Sequence, residues 1–186
     1  MRIITGTAKG VRLDTLEGEL TRPTGERTKE AIFSAIQFEI EGMAVLDLFA
    51  GSGQMGLEAL SRGAVSAMFV DASPEAMAIV KSNAKKTKLF DLSRFLISDY
   101  RSYIRKAAGR DRWGLIFLDP PYASDAVGDA VRRILEADLA EDGAILVCES
   151  GKPYQPDPDL APHLLPIKEQ KYGVAYIHIF RYVKEA

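Results

Sequence analysis

Residues 44–63 read "AVLDLFAGSGQMGLEALSRG". The opening "AVLDLF" (44–49) is apolar at every position but Asp47, the pattern of a strand covered on both faces. Gly51, Gly53 and Gly56 follow, then a helix-forming run that stops at Gly63. A strand, a glycine turn and a helix in that order bring backbone close to a ligand, because glycine takes positive φ and has no Cβ. The next apolar run, "VSAMFVD" (65–71), ends in Asp71, twenty residues beyond Gly51. A carboxylate at that distance accepts hydrogen bonds from ribose hydroxyls in nucleotide-binding sheets. The plainer alternative is a turn of structural glycines with a capping aspartate.

The rhythm continues along the chain. Pro74 opens a helix that runs through "EAMAIVKSNAKKTKL". "SRFLISD" (93–99), "GLIFLD" (114–119) and "GAILVCES" (143–150) read as strands, with helical segments near 100–108 and 124–138. Apolar strands alternating with helices predict a parallel sheet covered on both faces. "YQPDPDLAPH" (154–163) is a proline-rich loop, and "IKEQKYGVAYIHIFRYV" predicts a closing hairpin around Tyr172-Gly173 at the sheet edge. Ahead of the first strand, Arg2–Thr5 and Val11–Leu13 predict a small hairpin. A helix follows, capped by Thr24 after Pro23, with Ala31, Ile32, Ala35, Ile36 and Ile40 on one face and its end at Gly42. The expected fold is a doubly wound, mostly parallel α/β sheet with an antiparallel C-terminal strand. A short N-terminal hairpin-plus-helix (1–42) stands before the core (43–186), all in one domain.

Bulk properties narrow the field. The 186 residues are 47% hydrophobic and 27% charged, with a formal net charge of −2. That is an ordinary globular composition, without the global basic character that advertises a nucleic-acid partner; a local basic face suffices for one. No apolar run reaches bilayer length, and "MRIITGTAKG" lacks the core of a secretory signal. The single cysteine, Cys148, permits no internal disulfide and suits a reducing compartment, so the cytoplasm is expected. Cys148 itself falls in an apolar strand and reads as core. His163 and His178 stand alone, without metal-ligand spacing, and no metal is expected. Glu58 and Glu149 read as structural.

Asp47 distinguishes between ligands. It sits just before the glycines, where the pyrophosphate of a dinucleotide would approach. A carboxylate repels phosphate there but suits an ammonium group. A nucleoside joined to an amino acid, as in S-adenosylmethionine, offers both an ammonium and a ribose. A dinucleotide-dependent oxidoreductase is the distant alternative.

"LDLFAGSG" resembles the cofactor motif of class I S-adenosylmethionine methyltransferases, whose sheet is a seven-stranded Rossmann-like one. The resemblance implies that Asp47 faces the methionyl end, that Phe49, Gly51 and Gly53 line the cofactor, and that Asp71 and the adjoining Ala72 hold the ribose. "ISDY" resembles the next element and places Asp99 near the adenine amino group, with the ring of Tyr100 packing on it. Tyr100 is equally readable as a core residue at a helix start.

"LDPPY" (118–122) resembles the (Asp/Asn)-Pro-Pro-(Tyr/Phe) motif of amino-methyltransferases; alone it would be a strand ended by prolines. The amine of a nucleobase is nearly planar, its lone pair delocalised into the ring. Acceptors aimed at its two N–H groups favour a pyramidal nitrogen with an available lone pair. The Asp119 side chain and the Pro120 carbonyl supply two acceptors, and Pro121 stiffens the turn. Tyr122 offers a stacking surface worth roughly 1–3 kcal/mol. A base inside a helix has first to be flipped out. No metal and no covalent intermediate are required.

Three subclasses carry this tetrapeptide. DNA amino-methyltransferases usually add a target-recognition domain, for which 186 residues leave no space. Release-factor glutamine methyltransferases use Asn-Pro-Pro-Tyr behind a helical domain. The chain is most similar to the RsmD-type guanine-N2 methyltransferases of small-subunit (16S) ribosomal RNA. "MRIITGTAKGVRL", "TRPTGERTKEAIFSAI", "DLFAGSGQMGLEALSRGA", "DPPY" and "KYG" occur in that family's order. Glu26, Thr28 and Gln54-Met55 depart from its usual residues. The resemblance implies that Arg22, Thr24 and Arg27 face RNA or the target base at the mouth of the site; the alternative is solvated cap charges. It also implies S-adenosylmethionine as cofactor, and the small ribosomal subunit or an assembly intermediate as partner of a monomer. Of two basic clusters, "KSNAKKTK" (81–88) reads as a solvated helix face and "RSYIRKAAGRDR" (101–112) as a candidate for RNA backbone. A non-catalytic assembly factor on the same fold is the rival of another class.

Overall fold

The computed structural model describes residues 1–16, 25–121 and 126–185. After helix α1 (Gly25–Ile36), strands β1 (Ala44–Asp47), β2 (Ser66–Asp71), β3 (Ser93–Ile97), β4 (Trp113–Leu118) and β5 (Ala140–Ser150) alternate with helices α2 (Gln54–Ser61), α3 (Pro74–Lys86), α4 (Tyr100–Ala107) and α5 (Ala126–Glu136). Strands β6 (Leu164–Tyr172) and β7 (Ala175–Tyr182) form the closing hairpin. One sheet results, in the order β3-β2-β1-β4-β5-β7-β6. Strands β1 to β5 are mutually parallel, and β7 runs antiparallel between β5 and β6.

Continuous apolar strands have a simple consequence: alternate side chains serve two cores. On one face Val45, Leu115, Phe117, Val147 and Ile179 meet α1, α2 and α3. On the other, Leu46, Ile116, Leu118, Leu146 and Phe180 meet α4 and α5. β4 is buried at all six positions, and each fully buried Leu, Ile or Phe contributes about 1.5–3 kcal/mol. Cys148 belongs to the second core, where burial pushes its thiol up to about 12 and leaves it inert.

Local departures have local causes. α1 ends at Ile36, short of Gly42, and Ile40 reaches the core from the following turn instead. Thr24, the expected cap, lies outside the described residues. The N-terminal hairpin takes a minimal form: a single bridge joins Arg2 and Arg12, supported by Ile3 N–H to Val11 O (3.0 Å) and Gly10 N–H to Ile3 O (2.8 Å). β1 closes at Asp47, because beyond Leu48 the chain turns to set Ala50 N–H on Val70 O.

This N-terminal stretch is fastened to α2 by buried polar groups. Glu58 is fully buried and accepts the N–H groups of Ile4 (2.8 Å) and Thr5 (3.0 Å). Its carboxylate also meets Arg62 Nε at 2.9 Å and Lys29 Nζ at 3.4 Å. Glu58 is thus structural, as the sequence suggests.

Candidate active site

The chain runs outward from β1 to β3 and then crosses back to β4 on the other side of β1. That reversal opens a crevice beyond the carboxyl ends of β1 and β4, the place where such sheets hold ligands. A cavity of about 440 Å³ lies there, within the range of small-molecule sites. Asp47, Phe49, Gly51, Asp71, Ala72, Asp99, Tyr100, Asp119, Pro120 and Pro121 all line it.

The glycine turn explains itself atom by atom. Gly53 caps α2 at φ 78°, and a Cβ there would stand 2.9 Å from Val80. It shapes the turn without lining the cavity. At Gly56 a Cβ would come within 2.4 Å of the Phe69 ring, so only glycine lets α2 approach β2 this closely. The Gly56 N–H, freed by the helix start, donates to Asp47 Oδ2 at 3.0 Å. Burial pushes the Asp47 carboxyl up to about 7, the Gly56 N–H pulls against this, and the charge of Asp71 adds to the rise.

Asp71 has two tasks in the protein itself. Its Oδ2 accepts Gly51 N–H at 2.9 Å and its Oδ1 accepts Ser73 N–H at 2.8 Å. The capping alternative therefore holds, and each oxygen keeps a lone pair for a further donor. Asp99, exposed, caps α4 by accepting Ser102 N–H at 3.0 Å; the Ser102 side chain first, and then this N–H, holds its carboxyl below the usual range. Tyr100 packs its ring against Phe49, centroids 5.2 Å apart, and donates its hydroxyl to Asp129 Oδ2 at 2.6 Å. Burial, then Asp129, raises the Tyr100 phenol. The core reading of Tyr100 and the cavity reading are both satisfied, since it packs inward and lines the wall.

Two atoms of the glycine turn invite a ligand. Ser52 Oγ and Gln54 Oε1 are buried with no hydrogen-bond partner among the described residues, and both residues line the cavity. Acceptors from Asp47 and Gln54 in one apolar-walled recess fit an ammonium; Asp71 fits a hydroxyl donor. A nucleoside bearing an amino acid matches that donor set.

Other expectations fall differently. Arg27 is exposed on the first turn of α1; Arg22, Thr24 and Tyr122 lie outside the described residues. In 101–112, Arg101 Nε is bonded to Asp129 (2.9 Å) and Arg112 is paired with Asp138, so part of that cluster's charge is answered within the fold. The run 81–88 is solvated on its outer face, yet Asn83 within it is fully buried. His178 is buried and accepts Tyr154 N–H at 3.1 Å, with burial lowering its imidazole. Sequence reasoning missed Leu16, Ser73, Ala76 and Ser98 as wall residues. Leu16 carried no signal, as it reaches the cavity from a distant irregular segment.

Comparison with known proteins places this geometry. Residues 1–181 match the family model described as "Conserved hypothetical protein 95". The chain is similar to the Bacillus subtilis protein named "Putative rRNA methyltransferase YlbH", 35% identical over 97% of this chain and 98% of that one. It is also similar to "Ribosomal RNA small subunit methyltransferase D" of Haemophilus influenzae, 30% identical over 82% of this chain and 79% of the relative. Among solved structures, "Putative methyltransferase yhhF from Escherichia coli" shares the fold with a TM-score of 0.85, at 24% identity, covering 100% of this chain and 99% of that one.

Proposed function

The chain belongs to the Conserved hypothetical protein 95 family, that of the RsmD-type methyltransferases, and we propose that it methylates the exocyclic N2 of one guanine in small-subunit ribosomal RNA. Ribosomal RNA as the substrate class rests on relatives named as rRNA methyltransferases. The amine target rests on one observation: Asp119 and Pro120 border the same cavity as the ammonium-accepting Asp47. The cofactor is S-adenosylmethionine, which when bound supplies a methyl group already activated on a sulfonium.

The protein's own residues then have distinct work. Asp47 and Gln54 accept from the cofactor's ammonium, Asp71 accepts from its ribose, and Phe49 and Tyr100 pack the nucleoside. Asp99 and Ala72 complete the wall. Asp119 and the Pro120 carbonyl accept the two N–H groups of the guanine amine, so that its lone pair points into the cavity. Pro121 fixes their direction and Tyr122 stacks on the base. Arg22, Thr24 and Arg27 bind the RNA around it, where guanidinium groups suit phosphate. The whole chain works as one domain and as a monomer, in the cytoplasm, on the small subunit or its assembly intermediate. Among the described residues no helix is long and apolar enough to cross a membrane.

Radiolabelled methyl transfer to 30S particles, set beside naked rRNA, tests the proposal. Incorporation into ribosomal RNA is expected. No incorporation into either substrate would leave the binding-only assembly factor as the better reading.

A further inference from the structure

Asn83 ties together two segments that are far apart in the chain. Its Nδ2 donates to Ser52 O of the glycine turn at 2.9 Å and to Asp14 O at 2.9 Å, while its Oδ1 accepts Asp14 N–H at 2.8 Å. Both donors of the amide are thus spent inside the protein, and it is fully buried. Grasping the N–H and the C=O of one residue copies what a neighbouring strand does, so Asp14 is fixed in direction as well as in place.

The segment so held has no secondary structure of its own. Leu13, 6% exposed, anchors it in the core on the near side. Lys86, one turn along α3, meets the Asp14 carboxylate at 2.5 Å, an exposed pair of small worth. Two residues past Asp14, Leu16 forms part of the cavity wall, together with Ser52 and Gln54 of the glycine turn. The same amide therefore sets the position of the glycine turn and of the segment that faces it.

We infer that Asn83 is a positioning residue for cofactor binding, which clasps the N-terminal segment to the glycine turn and so makes Leu16 a wall of the site. This rests on the reading of the cavity as the S-adenosylmethionine site. A polar residue on the inward stripe of α3, between Val80 and Thr87, is otherwise an unfavourable choice; two satisfied segments account for it.

Calorimetric binding of S-adenosylhomocysteine to the full chain, with the melting temperature and amide exchange of the ligand-free protein, tests the inference. Leu16→Ala is expected to weaken binding roughly 3–10-fold with little change in melting temperature, since Leu16 is only half-buried. Asn83→Ala is expected to weaken binding by about tenfold or more and to speed exchange at Asp14 N–H. In both variants the loss is expected to fall more on the KM for S-adenosylmethionine than on kcat, because the amine-orienting end of β4 is untouched. Leu16→Ala also carries the test should Asn83→Ala fail to fold. Wild-type affinity in Leu16→Ala, or a lowered melting temperature in Asn83→Ala with unchanged affinity and Asp14 exchange, overturns the inference. Wild-type protein that binds no S-adenosylhomocysteine overturns the proposed function and this inference with it, and is told apart by needing no variant.

Discussion

Asp47 Oδ2 accepts the backbone N–H of Gly56 at 3.0 Å, which fastens the end of β1 to the first turn of the helix beyond the glycines. That N–H opposes the effect of burial on the carboxyl, which titrates near pH 7 against about 4 in an unfolded chain. Between those values the folded protein holds the extra proton, so this contribution to stability is full below about pH 4 and is lost as pH rises through about 7. The melting temperature of the ligand-free protein is expected to carry that downward component, and Asp47→Asn to remove it. A cofactor ammonium favours the ionised form, so S-adenosylhomocysteine affinity should fall, by up to about tenfold per unit, as pH drops below about 7. Identical pH profiles for wild type and Asp47→Asn would contradict this.

Gly56→Ala tests the packing beneath that bond. The new methyl would meet the Phe69 ring at 2.4 Å, and Phe69 is itself buried and stacked on Phe95. A loss of about 1–3 kcal/mol is expected from urea unfolding, with weaker cofactor binding as Asp47 is displaced. Gly128→Ala is the control: among the described residues its Cβ meets Tyr154 at an ordinary 3.6 Å, inside helix α5, so it should be neutral or stabilising.

Glu58 stands fully buried against Lys29, Arg62 and two backbone N–H groups. Burial lowers the Lys29 ammonium even against the pull of Glu58. Glu58→Ala removes the carboxylate that faces Lys29, leaving the buried ammonium on the Arg2 carbonyl at 2.6 Å, and is expected to cost about 3–5 kcal/mol. Lys29→Met should cost clearly less, since Arg62 remains with the carboxylate. Chemical denaturation of the two variants gives the order, and equal losses would refute it.

Tyr100 divides into a ring and a hydroxyl. Tyr100→Phe removes the hydroxyl and with it the 2.6 Å bond to Asp129, and should cost about 1 kcal/mol of stability. Its cofactor affinity should stay within about threefold, because the ring against Phe49 remains. Tyr100→Ala should lose substantially more affinity. Calorimetry on the pair separates the two parts.

What could be read in advance was local in the chain. Asp47, the glycines and Asp71 fall within one strand–turn–helix–strand stretch, so their spacing already implies their meeting. Asp119 and Pro120 follow the same logic at the next strand end of the crevice. Ile40 misled because helical spacing and a post-helical turn can bury the same side chain. The place of β7 between β5 and β6, and the meeting of Asn83 with Asp14, depend on contacts across the fold that no local pattern encodes. Asn83 did leave a trace, a polar residue on the inward stripe of α3, hidden within a run of lysines.

In the proposed function, Asp119 orients an amine for methylation. The most direct measurement of that role is methyl transfer to small ribosomal subunits by wild type and Asp119→Ala, with mass mapping of the modified nucleotide and S-adenosylhomocysteine affinity in parallel. Wild type is expected to methylate N2 of a single guanine. A loss of roughly a hundredfold or more is expected in Asp119→Ala, with affinity within about threefold. Full activity in Asp119→Ala, or a methyl group on a ring atom or a ribose, would contradict that role.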